Sequence, residues 1–361
     1  MQNEIEYKNS TFEAAIKRSS EIENELKLNP AKFRVLTGDR PTGSLHIGHL
    51  FGSLENRVKI QNMGVETFIV IADYQVLTDR ESSSSIAENV IELVLDYLSI
   101  GLEPNNGKTF IFPHSYVPEL NQLLLPFLFL VTNSELDRNP TVKEEIKSAQ
   151  IKSISSGMYT YPVHQAADIL SVKGNLIPVG KDQLPHLEMT RTIARRFNAR
   201  FGKGEKVFNE PEALLSSAPL ILGLDGGQKM SKSRNNAIML KSTPDEVVNL
   251  IKKAKTDSQR VITYDPENRP EVSNLLRICS LISGKTPEEI AFEISDTGAG
   301  NLKKITTDLL NSYLDPIRKK RAEYEKDKGY VMSVLKNGIL RAREESEKTL
   351  KDVRTAMDME F

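Results

Sequence analysis

Cysteine is nearly missing from this chain of 361 residues, where Cys279 stands alone. One thiol cannot build a disulfide framework, nor a cysteine-rich zinc or iron–sulfur site within one chain, and a reducing interior is its natural home. A surplus of either charge is missing too. Lys and Arg number 48 against 49 Asp and Glu, a net charge of −1. That balance argues against a blanket electrostatic nucleic-acid binder while leaving room for a local basic face. No apolar run reaches the roughly 18 residues that a membrane-spanning helix needs. The most apolar stretch, residues 123–131, is too short, and the first residues are too polar for a secretory leader. Internal repeats and low-complexity tracts are also absent. These absences together lead us to expect a cytoplasmic protein with no membrane partner, long enough for two domains with a core each.

What is present is an alternation of strand and helix. Residues 9–29 carry Phe12, Ala15, Ile16, Ile22 and Leu26 on one stripe and read as an amphipathic helix ended by Pro30. Residues 33–36 read as a short strand running into a turn-rich loop, 37–43, with a helix expected over about 46–62. Residues 67–72 (TFIVIA) are apolar after the first position, as a parallel strand covered on both faces requires. Strands over 109–112 and 176–179 (LIPV) follow, with helices over 83–100 (capped by the serines 82–85), 117–131 and 182–197. This spacing indicates right-handed parallel α/β units. Strand signals stop near residue 243, where Thr243-Pro244-Asp245-Glu246 opens a helix: a capping threonine, proline at the first helical position, acids in the first turn. Beyond it, apolar spacings such as Val331, Val334, Leu335 and Ile339 are helical.

Two short stretches carry chemistry. His46-Ile47-Gly48-His49 opens a helix behind a strand, so both imidazoles lie on one face, near free backbone N–H groups and the positive end of the dipole. That is an anion site, and Gly48 removes a side chain so that a flat ring could approach the backbone. A histidine pair at this spacing is more often an ordinary surface feature. The loop Pro41-Thr42-Gly43-Ser44 weighs against that, because it directly follows a strand, where α/β folds bind ligands. Lys229-Met230-Ser231-Lys232-Ser233 follows Gly226 and Gly227 on a polar loop. Loop lysines are usually solvated, yet here glycines give mobility, serines give donors, and two ammonium groups can reach different phosphates. A loop of this kind can close over substrate and stabilise charge in the transition state. Neither a Walker GxxxxGK[ST] loop nor a kinase motif set is present.

The two stretches together resemble the paired signatures of class I aminoacyl-tRNA synthetases. Five segments are similar to the tryptophanyl-tRNA synthetase family: residues 37–50 (TGDRPTGSLHIGHL), 161–170 (YPVHQAADIL), 179–198 (VGKDQLPHLEMTRTIARRFN), Gly223-Leu224-Asp225-Gly226 and 316–321 (PIRKKR). The resemblance runs from about residue 32 to the end. It implies an α/β fold: a Rossmann-like, doubly wound parallel-sheet catalytic domain over 31–240, preceded by an N-terminal helical extension, 1–30, and followed by a C-terminal α-helical, anticodon-binding domain over 241–361. It implies ATP with Mg2+, L-tryptophan and tRNA(Trp) as substrates and partners, and a homodimer.

Carried over residue by residue, the resemblance sets His46 and His49 on the phosphates and Lys229 and Lys232 on the developing pyrophosphate. Arg40, Pro41 and Thr42 border the phosphates, with Gly48, Met230, Ser231 and Ser233 beside them. Gly180, Lys181, Asp182 and Gln183 line ATP and the adenylate, and Leu220 the adenine. Asp168 accepts the indole N–H, with Tyr161 and Gln165 in the same pocket; a lone donor with no acceptor is well matched by a buried carboxylate. Tyr161, Gln165 and Asp168 also fit the Y-x-x-x-Q-x-x-D pattern of tyrosyl-tRNA synthetases. Against that family, Leu36 stands where a tyrosine would bind the substrate hydroxyl, and Gly180-Lys181-Asp182-Gln183 departs from its GSDQ-type motif. Readings of another class are a catalytically silent paralogue that senses an amino acid, and a small-molecule adenylyltransferase. Of the other histidines, His114 is expected in a loop role, His164 facing solvent and His186 packed locally, with no metal site among them. Arg318, Lys319, Lys320 and Arg321 form a basic cluster that could touch tRNA.

Overall fold

The strands owe their pairing to apolar runs too short for helices. β1 (Arg34–Asp39), β2 (Glu66–Ile71), β3 (Thr109–Pro113), β4 (Leu176–Val179) and β5 (Glu212–Leu215) form one sheet in the order β3-β2-β1-β4-β5. Every neighbouring pair is parallel. The computed structural model describes residues 2–78, 83–148, 153–215, 220–226 and 229–361, without the side chains of residues 2–12, Ser148 and Ser233. Ser82, Gly227 and the side chains of Phe12 and Ser233, to which the sequence assigned roles, therefore lie outside what is described.

β1 continues through Thr37-Gly38-Asp39, where a turn was expected. Gly38 pairs with Val70, and a Cβ on it would overlap the Val70 carbonyl, so the glycine serves a close strand-to-strand approach. β5 was missed: Glu212-Ala213-Leu214-Leu215 has no β-branched residue, and it becomes a strand by pairing with β4. Its free edge is covered by the first helix, Gln2–Leu28, whose Ser19 hydroxyl accepts the Leu215 N–H at 2.9 Å. Arg18 forks onto Glu212 at 2.9 and 3.0 Å, and Ile22 and Leu26 are buried, while Ile16 stays half exposed. The helix expected over 46–62 is broken into Ile47–His49, a π-helical turn Leu50–Leu54, and Glu55–Asn62.

Sheet order reverses between β1 and β4, so the loops after these two strands flank the crevice where open α/β sheets take ligands. The helical part past residue 240 consists of Pro244–Lys253, Pro270–Ser283, Pro287–Ile294, Ala299–Lys326 and Lys328–Ala356. It does not pack on itself alone. One buried cluster runs from Leu45 and Ile47 through Ile238, Leu276 and Leu310 to Leu335, so the break in strand signal near 240 falls within a shared core. The last helix returns to β3, where a Cβ on Gly338 would overlap the Ile111 carbonyl. Its Glu345 takes Arg34 of β1 at 2.8 Å, and its Arg341 reaches Glu66 of β2 at 3.0 Å.

Alanine for glycine inside a helix normally stabilises by about 1 kcal/mol. Gly338→Ala should do the opposite, by roughly 1–3 kcal/mol, because the methyl group meets backbone that cannot turn aside. The midpoint of urea unfolding reads the sign directly, and a midpoint that rises would mean the helix is not seated on β3.

Candidate active site

The corner after β1 is organised by two histidines that cap each other's helix turn. His46 is the N-cap of Ile47–His49, and its Nδ1 accepts the Gly48 N–H at 3.1 Å. The His49 Nδ1 in turn accepts the His46 N–H at 3.3 Å, a reciprocal box built from imidazoles. With both Nδ1 atoms used as acceptors, each neutral ring carries its proton on Nε2. Burial holds His46 neutral, at about 3, helped by the nearby His49 and Lys229 charges. His49 is lowered as well, by burial first, with Lys229 and Arg57 adding and Asp39 opposing. A Cβ on Gly48 would crowd the His46 ring, so the glycine makes room for the cap. Behind the corner, Asp39 takes Arg57 and the Tyr97 hydroxyl, each at 2.6 Å. Burial opposes its ionisation, yet Arg57 holds it at about 2.

The lysine loop is delivered to this corner by backbone pairing. His46 bridges Met239, the Ile47 N–H reaches the Ile238 carbonyl at 3.0 Å, and Leu222 bridges Lys229. Asn236 fixes the turn, accepting the Ser231 N–H at 2.8 Å and donating to Asp225 at 3.0 Å. Met230 is buried beside Gly48. The Lys232 ammonium lies against Gly43, where a Cβ would overlap it; Gly43 has φ +121°, which glycine alone adopts readily. The two motifs, distant in sequence, meet here.

A clamp holds the loop between β1 and His46. The Ser44 hydroxyl donates to Glu92 at 2.7 Å and the Leu45 N–H to Asp96 at 2.6 Å. Both carboxylates, on helix Ile86–Ser99, are gripped by Arg321 at 2.9 and 2.6 Å. Arg321 is buried, which removes it from the basic cluster proposed to meet tRNA; Lys319 pairs with Asp315, and Arg318 donates to Asn311. Among the other residues of the loop after β1, Pro41 is buried, the Thr42 N–H turns back to the Arg40 carbonyl at 2.8 Å, and Arg40 reaches Thr78 at 3.4 Å.

Across the switch point, Gly180, Lys181 and Asp182 are exposed at the end of β4. The Asp182 carboxylate folds over Gly180, and Gln183 donates to it at 3.1 Å. Leu220 is half exposed, with its carbonyl receiving Arg277 at 3.1 Å. Helix Ser156–Ser171 supplies the third side. A cavity of about 360 Å³ is bordered by Tyr74, Gln75, Thr78, Asn121, Tyr161 and His164. Tyr161 bonds His186 at 3.1 Å, and burial raises its phenol. His186 is buried and bonded to Asn139, and burial lowers it to about 4.

Asp168 and Gln165 are not on that cavity's wall. Asp168 is buried and bonded through Oδ1 to His114 Nδ1 at 3.0 Å. Two expectations are corrected here. His114 is wholly buried between β3 and the helix, and His164 is buried too, its Nε2 on Asn121 Oδ1 at 2.8 Å. The burial of both follows from polar partners that no sequence spacing displays. Among the described residues, His114, His164 and Asp168 are also the one group of possible metal ligands, their atoms within 4.8 Å of one another.

Residues 28–315 match the family model described as tRNA synthetases class I (W and Y). The chain is 43% identical over 341 residues to a tryptophan–tRNA ligase of Clostridium longisporum, covering 92% of this chain and 98% of that one. It is 40% identical over 339 residues to the tryptophan–tRNA ligase of Streptococcus pyogenes serotype M1, covering 91% and 98%. Tryptophanyl-tRNA synthetase from Campylobacter jejuni, solved with ADP and tryptophan, superposes with a TM-score of 0.77 at 29% identity over 90% of this chain and 99% of that one. The enzyme from Mycoplasma pneumoniae gives 0.77 at 26% identity, covering 91% and 98%. A doubly wound parallel sheet with long helices behind it, a histidine corner closed by a lysine loop, and relatives matched along nearly their whole length agree: the chain belongs to the class I aminoacyl-tRNA synthetases of the W and Y group, among the tryptophan–tRNA ligases.

Proposed function

We propose that the crevice between the histidine corner and helix Ser156–Ser171 binds ATP and L-tryptophan together. The tryptophan carboxylate attacks the α-phosphorus in line, forming tryptophanyl-adenylate as the bond to pyrophosphate breaks. The 3′-terminal adenosine hydroxyl of tRNA(Trp) then takes the aminoacyl group and AMP leaves. No protein nucleophile is required, because positioning and charge stabilisation carry phosphoryl chemistry. The observation that supports this reading most is that the lysine loop meets the histidine corner: the Lys229 charge is felt by both His46 and His49, and the Lys232 ammonium lies against Gly43 just before them. Neutral donors aimed at phosphate oxygens add no charge to the ground state, while the ammonium groups follow the charge that develops on pyrophosphate.

Arg40, Pro41, Thr42, Gly48, Met230, Ser231 and Ser233 complete the phosphate corner in this reading. Gly180, Lys181, Asp182, Gln183 and Leu220 receive the nucleoside. Tyr161, Gln165 and Asp168 receive tryptophan. Magnesium arrives with ATP and stays on the phosphate oxygens, since Asp39, the acid behind the corner, is already bonded to Arg57 and Tyr97. Residues 241–361 take the anticodon, whose single-stranded bases are readable by stacking and hydrogen bonds, and 31–240 hold ATP and tryptophan. A homodimer is supported by an uncovered apolar face around helix Pro118–Leu128, where Tyr116, Leu125 and Phe129 are 65, 62 and 71% exposed.

Tryptophan alone among the standard amino acids should drive pyrophosphate exchange into ATP; no exchange with any of them would leave a silent paralogue. Lys232→Ala should slow that exchange by about 10²–10³-fold while the Kd for tryptophan moves less than about twofold. Equal losses would refute a role confined to the transition state. The pH profile follows from His46: lowered to about 3, it is neutral throughout the working range. kcat/KM for ATP should therefore show no loss with an apparent pKa near the ordinary histidine value of about 6.5. A tenfold fall per unit above that value would mean an imidazolium does the work. Substituting Leu125→Asp should lower the mass measured by light scattering to that of one chain, and an unchanged monomeric mass in the parent protein would remove the dimer.

A further inference from the structure

Behind the wall of the amino-acid cavity runs a buried row of polar side chains that the phosphate chemistry leaves unused. Asp73 stands just past β2, His114 directly after β3, and Asp168 on helix Ser156–Ser171. The His114 side chain is 0% exposed and that of Asp168 3%. His114 Nδ1 is 3.0 Å from Asp168 Oδ1, and its Nε2 is 3.1 Å from the Tyr74 backbone nitrogen. A backbone N–H only donates, so the Nε2 lone pair accepts it, and the neutral ring must carry its proton on Nδ1, facing Asp168. Asp73 anchors the start of the row. Its Oδ1 accepts the Tyr74 N–H at 3.2 Å and the Ser115 N–H at 3.1 Å, and it lies 3.4 Å from His114 Nε2. Donation therefore runs one way, from backbone to imidazole to carboxylate.

A metal centre is the competing use of His114, His164 and Asp168, and the geometry disfavours it. Ligands about 2.0–2.1 Å from a tetrahedral zinc stand about 3.4 Å apart. Here the three atoms lie within 4.8 Å of one another, and both ring nitrogens of His114 are already engaged, Nδ1 by Asp168 and Nε2 by the Tyr74 N–H. His164 is held separately: Asn121 gives its amide hydrogens to the His114 and Val117 carbonyls at 3.4 and 3.3 Å, so its oxygen must face His164 and receive Nε2–H.

We propose that His114 is the positioning residue for recognition of the indole N–H. By donating Nδ1–H to one oxygen of Asp168 it locks the carboxylate rotamer and commits that oxygen, leaving the other as an acceptor of fixed direction. This rests on the reading that Asp168 accepts the indole N–H. The function follows from the donor inventory: an acceptor that cannot rotate, and is flanked by a donor that cannot turn away, rejects an aromatic ring of the same shape that lacks an N–H. His114 touches no substrate and acts through Asp168.

The test compares tryptophan with 3-(benzothiophen-3-yl)alanine, in which sulfur replaces the N–H, by kcat/KM in pyrophosphate exchange. His114→Phe keeps a ring of similar volume and removes the donor. It should lower the preference for tryptophan by roughly ten- to a hundredfold. The loss should fall in the KM for tryptophan, with the analogue's kinetics and the KM for ATP near those of the parent enzyme. His114→Asn, whose amide nitrogen takes the place of Nδ1, should restore most of the preference. Where the phenylalanine protein does not fold, His114→Gln carries the same expectation of loss, since its amide nitrogen takes the place of Nε2. Asp168→Asn separates the two layers: with its oxygen held by His114, its amide would turn a donor toward the indole and abolish the preference. Loss in Asp168→Asn with none in His114→Phe and His114→Gln, which lack a donor at the Nδ1 place, overturns the proposal and spares the reading. A preference unmoved by Asp168→Asn overturns the reading on which it rests.

Discussion

Two imidazole Nδ1 atoms accept backbone N–H groups at the turn after β1, and the character of the whole crevice depends on that choice. A serine or aspartate would satisfy the same orphan donors more conventionally. An imidazole satisfies them with one edge and presents a second, protonated edge to whatever enters. The same two side chains are then available for both tasks, Nδ1 as the cap and Nε2–H as the remaining donor. Burial completes the arrangement by keeping His46 uncharged, so the corner offers hydrogen bonds without a permanent counter-charge of its own. The positive charge is left to the lysine loop, which is joined to the corner through the Met239 and Ile238 backbone.

How much of this was legible in the sequence depends on whether the information is local. β2 announces itself because the five successive residues 68–72 are apolar, as a strand inside a covered sheet must be. The histidine and lysine motifs are equally plain, since the chemistry requires those side chains at fixed spacing. Gly38 was read as a turn because glycine marks turns and close approaches alike, and only the Val70 carbonyl tells which. β5 carries no strand composition and depends on β4 for its identity. His114 and Asp168 stand 54 residues apart with no periodic signal between them. Arg321 was misread for the same reason: a basic run at a helix start is usually solvated, and the Glu92 and Asp96 that draw it inward lie more than 200 positions away.

That arginine changes what the helical part is for. A helical region attached by a linker would be free to bind nucleic acid without consequence for the α/β part. Here Lys328–Ala356 lies on β3 with backbone against backbone, and Arg321 reaches through Asp96 and Glu92 to the loop that precedes His46. Removing residues 241–361 would uncover the sheet at β3 and take away the Arg321 contacts behind the loop that precedes His46.

The clamp also illustrates why such a link uses ions. Three buried or half-buried charges are a poor route to stability, because desolvation consumes most of the attraction, and well-packed apolar side chains of similar volume often do as well or better. Burial pushes the Asp96 carboxyl up to about 6 even with Arg321 pulling against it. What apolar residues cannot supply is register. Asp96 accepts the Leu45 N–H on one oxygen and Arg321 on the other, so the loop, the helix Ile86–Ser99 and the helix Ala299–Lys326 are aligned by directional bonds of 2.6 Å each. A slip of one residue in any of the three leaves a buried charge unpaired, at a cost of about 3–5 kcal/mol. Apolar packing tolerates such slips far more cheaply. The ion cluster therefore selects one placement of the histidine corner relative to the helical part, and on the proposed reading, in which its donors meet phosphate oxygens, that selection matters more than added stability.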